Sequence, residues 1–232
     1  MADGNGILFG VGVGPGDPEL ITLKAMRAIE ACPVVATPQT AGGATVALDI
    51  ARAAVDLAGK EILTLRFSMG GEGARRAERH ARAVDEIVGR LGRGLDVALL
   101  NLGDPSIYAT FQRIAAAVRE RGFEVRTVPG VPSFCAVAAT LGADLTPRMD
   151  TPLHIVPAAC ADAECALAWP GTKVLMKAGG HLGELQRDLV RAGVLDRASA
   201  ATDCGMAGER VFRALADAPE ESGYFTTVVV RP

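Results

Sequence analysis

Aromatic residues are scarce in this 232-residue chain: one Trp, two Tyr and seven Phe, 4% in all. With 49% of residues apolar, the core must therefore be built from Ala, Val and Leu. An excess of basic charge is also lacking. A formal net charge of −3 argues against a nucleic-acid footprint, which shows as a basic domain. No apolar run approaches the roughly 18 residues of a membrane-spanning helix, so no membrane partner is expected. The first residues, Met-Ala-Asp-Gly-Asn-Gly, lack the basic region of a secretory signal.

Paired cysteines are missing as well. Cys32, Cys135, Cys160, Cys165 and Cys204 are odd in number, scattered, and form no C-x-x-C motif. Reduced thiols and a cytoplasmic location follow as expectations. Three dispersed histidines, His80, His154 and His181, suggest neither a metal site nor a triad, so no bound metal is expected. Familiar phosphate and nucleophile motifs fail too. Read as G-x-G-x-x-G from Gly10 or Gly12, the third glycine falls on Pro15 or Asp17. Neither a Walker A loop nor a G-x-S-x-G elbow occurs.

What is present is a pair of matched turns. Asn101-Leu-Gly-Asp-Pro-Ser-Ile-Tyr-Ala-Thr110 follows the apolar run Val97–Leu100, which reads as a buried strand. Gly103 frees the backbone where that strand ends. Asp104 and Pro105 suit the N-cap and first position of a following helix, which would bury Phe111, Ile114, Ala115 and Val118. Gly10-Val-Gly-Val-Gly-Pro-Gly-Asp-Pro18 repeats the pattern after Ile7–Val11. Two strand exits with one chemistry point to a single ligand cleft, because open α/β sheets bind ligands at the carboxyl ends of their strands.

Strands at Ile7–Val11, Val34–Thr37, Ile62–Arg66, Val97–Leu100 and Phe123–Val128 alternate with helical patterns. The expected inward faces carry Leu23, Met26 and Ile29; then Val46, Ile50, Ala53 and Leu57; then Ala77, Ala81, Val84, Val88 and Leu91. This alternation predicts a mainly parallel five-stranded sheet covered on both faces. Phe67–Gly73 is glycine-rich and reads as mobile, a lid in which Arg75 and Arg76 would draw in carboxylates; its alternative is a solvated surface loop. Beyond a helix with Phe134, Val137, Ala138 and Leu141, strands dominate: Leu153–Val156, Lys173–Ala178, Ala198–Asp203 and Tyr224–Arg231, with a helix at Leu182–Leu189. Two α/β domains are expected, 1–130 and 131–232, the second with a mixed sheet and a ligand cleft between them. His154 and Lys177 are unusual in apolar strands; the alternatives to a role at a site are a structural histidine and a half-exposed strand-end lysine.

Together these motifs resemble a family. Gly12-Val-Gly-Pro-Gly-Asp-Pro-Glu-Leu-Ile-Thr-Leu-Lys24 is similar to the opening motif of the tetrapyrrole (class III) S-adenosylmethionine-dependent methyltransferases. Leu102–Ile107 resembles their Gly-Asp-Pro motif, and Val128-Pro-Gly-Val-Pro-Ser-Phe134 their Pro-Gly motif. Val174-Leu-Met-Lys177, Cys204-Gly205 with Glu209-Arg210, and Tyr224-Phe-Thr-Thr227 look most like the branch that methylates carbon 20 of precorrin-2 or cobalt-factor II in cobalamin biosynthesis. The resemblance implies S-adenosylmethionine as cofactor and S-adenosylhomocysteine as product. It implies contacts from Pro15, Gly103, Asp104, Ile107, Ser133, Phe134, Ala178 and Gly205, and a homodimer. Relatives that methylate uroporphyrinogen carry an Asp soon after the second strand, where this chain has Thr37-Pro-Gln-Thr40.

The acceptor is then a carboxylate-rich tetrapyrrole whose electron-rich carbon is the nucleophile, so alignment carries most of the catalysis. Tyr108 and Asp104 are the candidates to take a proton or steady charge. Arg66, Arg75, Arg76 and Lys177 are the candidate substrate partners. Two alternatives stand beside this one. One is a class III enzyme for another corrinoid intermediate or an rRNA base; the other is a non-enzymatic sensor on the same fold.

Overall fold

The computed structural model describes residues 4–39, 43–66, 73–160 and 163–232, the side chains of 73–76 and 163–164 excepted. The chain divides into two compact units, 1–132 and 133–232.

The first unit runs β1 (Leu8–Gly12), α1 (Leu23–Ala31), β2 (Val34–Gln39), α2 (Val46–Ala54), β3 (Glu61–Arg66), α3 (Gly73–Leu91), β4 (Val97–Asn101), α4 (Phe111–Glu120) and β5 (Val125–Val128). Its sheet has the order β3-β2-β4-β1-β5, with every pair parallel. A parallel sheet needs cover on both faces, and β4 is buried at all five positions. One face joins Leu8, Leu99 and Phe111 to Ile87 and Leu91 of α3. The other joins Val11, Ala98 and Leu100 to Ile29 of α1 and Ala51 of α2. Because all five strands run the same way, their carboxyl ends share one edge.

Several helices differ from the sequence expectation. α4 begins at Phe111, not at Pro105. Asp104 caps only a local turn, since Ile107 N bonds Asp104 O (3.2 Å) and Tyr108 then takes φ +48°, which no helix interior allows. Its buried face is nonetheless the expected one: Phe111, Ile114, Ala115 and Val118. In α1, Leu23 is 69% exposed, and Ala25 and Ile29 face the core. In α2, Ala53 is exposed while Ala47, Leu48, Ile50 and Ala51 are buried. In α3, Ala77 and Ala81 are exposed, and Ala83, Val84, Ile87 and Leu91 turn inward. Alanine carries one methyl group and weighs little in a helical period, so an Ala-rich helix sets its face by its larger side chains.

The second unit runs α5 (Ser133–Leu141), β6 (Leu153–Pro157), α6 (Ala163–Leu167), β7 (Thr172–Met176), α7 (Leu182–Arg191), β8 (Ala198–Thr202), β9 (Arg210–Phe212) and β10 (Thr226–Val230). Its sheet is mixed, in the order β6-β7-β10-β8-β9. β6 and β7 are parallel, and β10 runs antiparallel to both β7 and β8. Every residue of β7, β8 and β10 is buried. The short edge strand β9 leaves no pattern in the sequence, because Arg210, Val211 and Phe212 are flanked by charge and stay largely exposed. The expected fold class, a mainly parallel five-stranded sheet and a mixed sheet with covering helices, is the observed one. Among the described residues no helix is long and apolar enough to cross a membrane.

Candidate functional site

At the carboxyl edge of the first sheet, the exits of β1, β4 and β5 converge. Gly103 N donates to Gly14 O (2.7 Å), and Val13 N to Asn101 O (3.0 Å), so the two glycine turns are stitched together. The loop after β4 then reaches over the end of β1 to the loop after β5. A Cβ on Gly12 would lie 2.6 Å from both Gly103 O and Gly130 N, and one on Gly130 would lie 2.3 Å from Gly103 O. Side chains cannot fit where three backbones cross.

Asp104 fastens this crossing. Its Oδ2 accepts from Gly130 N (2.9 Å), and its Oδ1 accepts from Ser106 N (2.8 Å) and Ser106 Oγ (2.5 Å). Burial pushes the carboxyl pKa up, but the Ser106 hydroxyl and the Ser106 and Gly130 amides outweigh it and hold the group below its ordinary value. An ionised carboxylate offers about four acceptor sites, so one remains on Oδ2 for a further donor such as an ammonium. Ile107 is half-buried beside it. Tyr108 is 44% exposed, in left-handed backbone that a bulky residue rarely adopts. Pro15 lies buried between Gly14 and Gly16 of the first turn.

Thus Pro15, Gly103, Asp104, Ile107 and Tyr108 share one sheet edge. Arg66 is exposed at the end of the edge strand β3, two strands away from β4. Arg75 and Arg76 belong to the first turn of α3, their side chains outside the described residues, as are residues 67–72.

In the second unit, Ser133 opens α5 and Phe134 is buried in it. Lys177 and Asp203 directly follow β7 and β8, and both have positive φ, +60° and +51°. Ala178 is buried, with its N–H on Thr226 O (2.9 Å) and its carbonyl accepting from His181 N (2.9 Å). Gly205, at φ +75°, donates its N–H to Glu209 Oε2 (2.8 Å). β7 and β8 both oppose β10, so Lys177, Ala178, Asp203 and Gly205 lie at one edge of this sheet, beside the segment leading into β10.

Sequence reasoning missed three participants. The Gly130 amide is one, although its Pro-Gly motif was visible. Tyr224 is another; the Lys177 ammonium lies 5.7 Å from its ring centroid. The third is the close approach of Gly179 and Gly223, where a Cβ on Gly179 would sit 1.9 Å from Gly223 O. Glycines just outside two apolar strands were the available signal. Among the described residues, no group of three His, Cys, Asp or Glu side chains could hold a metal ion.

An edge of glycine turns with one held carboxylate and an adjacent hydroxyl suits a small zwitterionic ligand. Residues 8–219 match the family model for tetrapyrrole (corrin/porphyrin) methylases, and the chain belongs to that family. Among its relatives, it is 30% identical to the precorrin-2 C(20)-methyltransferase of a Sinorhizobium species, covering 98% of this chain and 96% of that one. It is 29% identical to the cobalt-precorrin-2 C(20)-methyltransferase of Salmonella typhimurium, over 97% and 96% of the two chains. The fold matches the crystal structure of uroporphyrin-III C-methyltransferase from Thermus thermophilus complexed with S-adenosylhomocysteine, with a TM-score of 0.71 and 23% identity over 97% of each chain.

Proposed function

We propose that this protein transfers a methyl group from S-adenosylmethionine to carbon 20 of precorrin-2 or its cobalt-loaded form, in cobalamin biosynthesis. The observation that carries this reading is the end-to-end likeness to C(20)-methyltransferases, on a chain of matching length. Bound S-adenosylmethionine would supply an electrophilic methyl on a sulfonium. The chain's own part is to hold donor and acceptor in line, which is worth several kcal/mol of barrier in well-aligned transfers.

The cofactor contacts we assign are Pro15, Gly103, Asp104 and Ile107 in the first unit, and Ser133, Phe134, Ala178 and Gly205 in the second. Asp104, ionised and held by three hydrogen bonds, is a poor proton acceptor and a good partner for an ammonium. Tyr108 is therefore the better candidate to hold a proton or steady charge. Arg66, Arg75, Arg76 and Lys177 are assigned to the substrate's carboxylates, and any cobalt belongs to the substrate. A reduced, cytoplasmic homodimer completes the reading, and sedimentation analysis checks the dimer.

The deciding experiment supplies the protein with S-adenosylmethionine and precorrin-2 or cobalt-precorrin-2. S-adenosylhomocysteine should form together with a tetrapyrrole that has gained one methyl group, located at carbon 20 by NMR. Methylation at another carbon would favour a different corrinoid substrate. No turnover, with S-adenosylmethionine still bound, would favour the sensor.

A further inference from the structure

Tyrosine occurs twice in the chain, and Tyr224 stands just ahead of β10 at the edge of the second sheet. It is 40% exposed and set edge-on against Phe225, the ring centroids 5.2 Å apart. The segment that carries it is pinned by a group of hydroxyls at the end of the sheet. Thr202 Oγ1 bonds Ser222 Oγ (2.8 Å) and Thr226 Oγ1 (2.8 Å). Thr226 Oγ1 also donates to Gly223 O (2.6 Å), and Arg210 donates to Ser222 Oγ (2.9 Å). Asp203 closes the other side, with Oδ2 3.4 Å from where a Gly223 Cβ would be.

The Lys177 segment is joined to this one, backbone against backbone. Ser222 N donates to Gly179 O (3.2 Å) and Ala178 N to Thr226 O (2.9 Å), and Gly179 and Gly223 approach too closely for any side chain. Lys177 itself takes φ +60°, a conformation that costs a non-glycine residue energy and persists only where its surroundings impose it. The outcome is an ammonium 5.7 Å from the Tyr224 ring centroid, at the edge of a sheet rather than along a solvated helix. A lysine side chain in water is floppy, and an aromatic face restrains it while the ammonium keeps its charge.

We infer that Tyr224 is a positioning residue: its ring holds the Lys177 ammonium in place to receive a carboxylate of the tetrapyrrole. This rests on the proposed function for its substrate class, and adds the aromatic restraint, the pinned segment that carries the ring and the reason for the strained lysine. The ring is the restraining group, so phenylalanine serves as well as tyrosine.

The test separates this inference from the reading it rests on. Turnover with S-adenosylmethionine and precorrin-2 judges the reading. The pair is judged by fluorescence titration of the full chain with uroporphyrin, a stable polycarboxylated tetrapyrrole, and by S-adenosylhomocysteine calorimetry. Lys177→Met should weaken porphyrin binding about tenfold, and Tyr224→Leu about threefold to fivefold. Tyr224→Phe should stay within about twofold of wild type. Lys177→Met with Tyr224→Leu should lose no more than Lys177→Met alone, because the ring acts through the lysine. S-adenosylhomocysteine affinity should be unchanged in all of them, which also shows the variants are folded. Wild-type porphyrin affinity in Tyr224→Leu, a Tyr224→Phe as weak as Tyr224→Leu, additive losses in the double variant, or a wild type that does not bind porphyrin would each overturn it.

Discussion

Gly16-Asp17-Pro18 and Gly103-Asp104-Pro105 are the same tripeptide at the ends of two neighbouring strands, yet they fold to different purposes. Both aspartates cap the amide two residues on: Asp17 Oδ1 accepts from Glu19 N (2.9 Å) and Asp104 Oδ1 from Ser106 N (2.8 Å). From there they diverge. Asp17 starts a single 3-10 turn, Pro18–Leu20, and Thr22 then caps α1 by accepting from Ala25 N (3.1 Å). Asp104 spends its second oxygen on Gly130, 26 residues further along the chain. The cause is the strand order: β1 lies between β4 and β5, so a carboxylate leaving β4 can span it. A short motif fixes its own turn; what that turn is used for depends on what stands across the sheet edge.

The strongest way to break the comparison is to remove the crossing. Gly130→Ala places a methyl 2.3 Å from Gly103 O, and backbone cannot yield as a side chain would. Denaturant unfolding should show a loss of about 2–4 kcal/mol. A loss below about 0.5 kcal/mol would mean that the loops part freely and the crossing holds nothing.

Next in size is Asp104→Ala. It strands the Gly130 amide and should cost about 1–3 kcal/mol in stability, with a similar loss in S-adenosylhomocysteine affinity by calorimetry. The carboxyl pKa is lowered in the folded state, so its contribution is complete above the unfolded value of about 3.9 and fades as the pH falls through the folded one. The stability gap between wild type and Asp104→Asn should therefore narrow only below about pH 4. A gap that narrowed between pH 6 and 8 instead would point to another group.

Smallest is the matched change in the other turn. Asp17→Ala removes one local cap and should cost about 0.5–1 kcal/mol. Arg82→Ala, which breaks only the exposed Arg82–Glu78 pair (2.6 Å), supplies the baseline at under about 0.5 kcal/mol. Equal losses from Asp17→Ala and Asp104→Ala would erase the distinction between the turns.

Much of this architecture was legible because it is written locally. Val97–Leu100 and Ile7–Val11 are apolar runs ended by glycine, and Leu182, Leu185 and Leu189 mark α7 by spacing alone. Where a residue's place depends on distant chain, the sequence was silent. Nothing around Tyr108 announces φ +48°, so the sequence pattern starts α4 too early. The exposed Ala77 and Ala81 differ from the buried Ala83 only in where α3 meets the sheet. At the candidate site, Asp104 was recognisable as a strand-exit carboxylate. Its bond to Gly130 was not, since only the strand order makes the two neighbours.

That bond also supplies a clock. The Gly130 amide hydrogen points at a single carboxylate oxygen, and it can exchange with solvent deuterium only when the crossing opens. Its exchange rate, set against that of the β4 interior amides, measures how often the three strand exits separate while the sheet beneath them stays intact. One proton thus reads out the breathing of this sheet edge, residue-specifically and without any ligand.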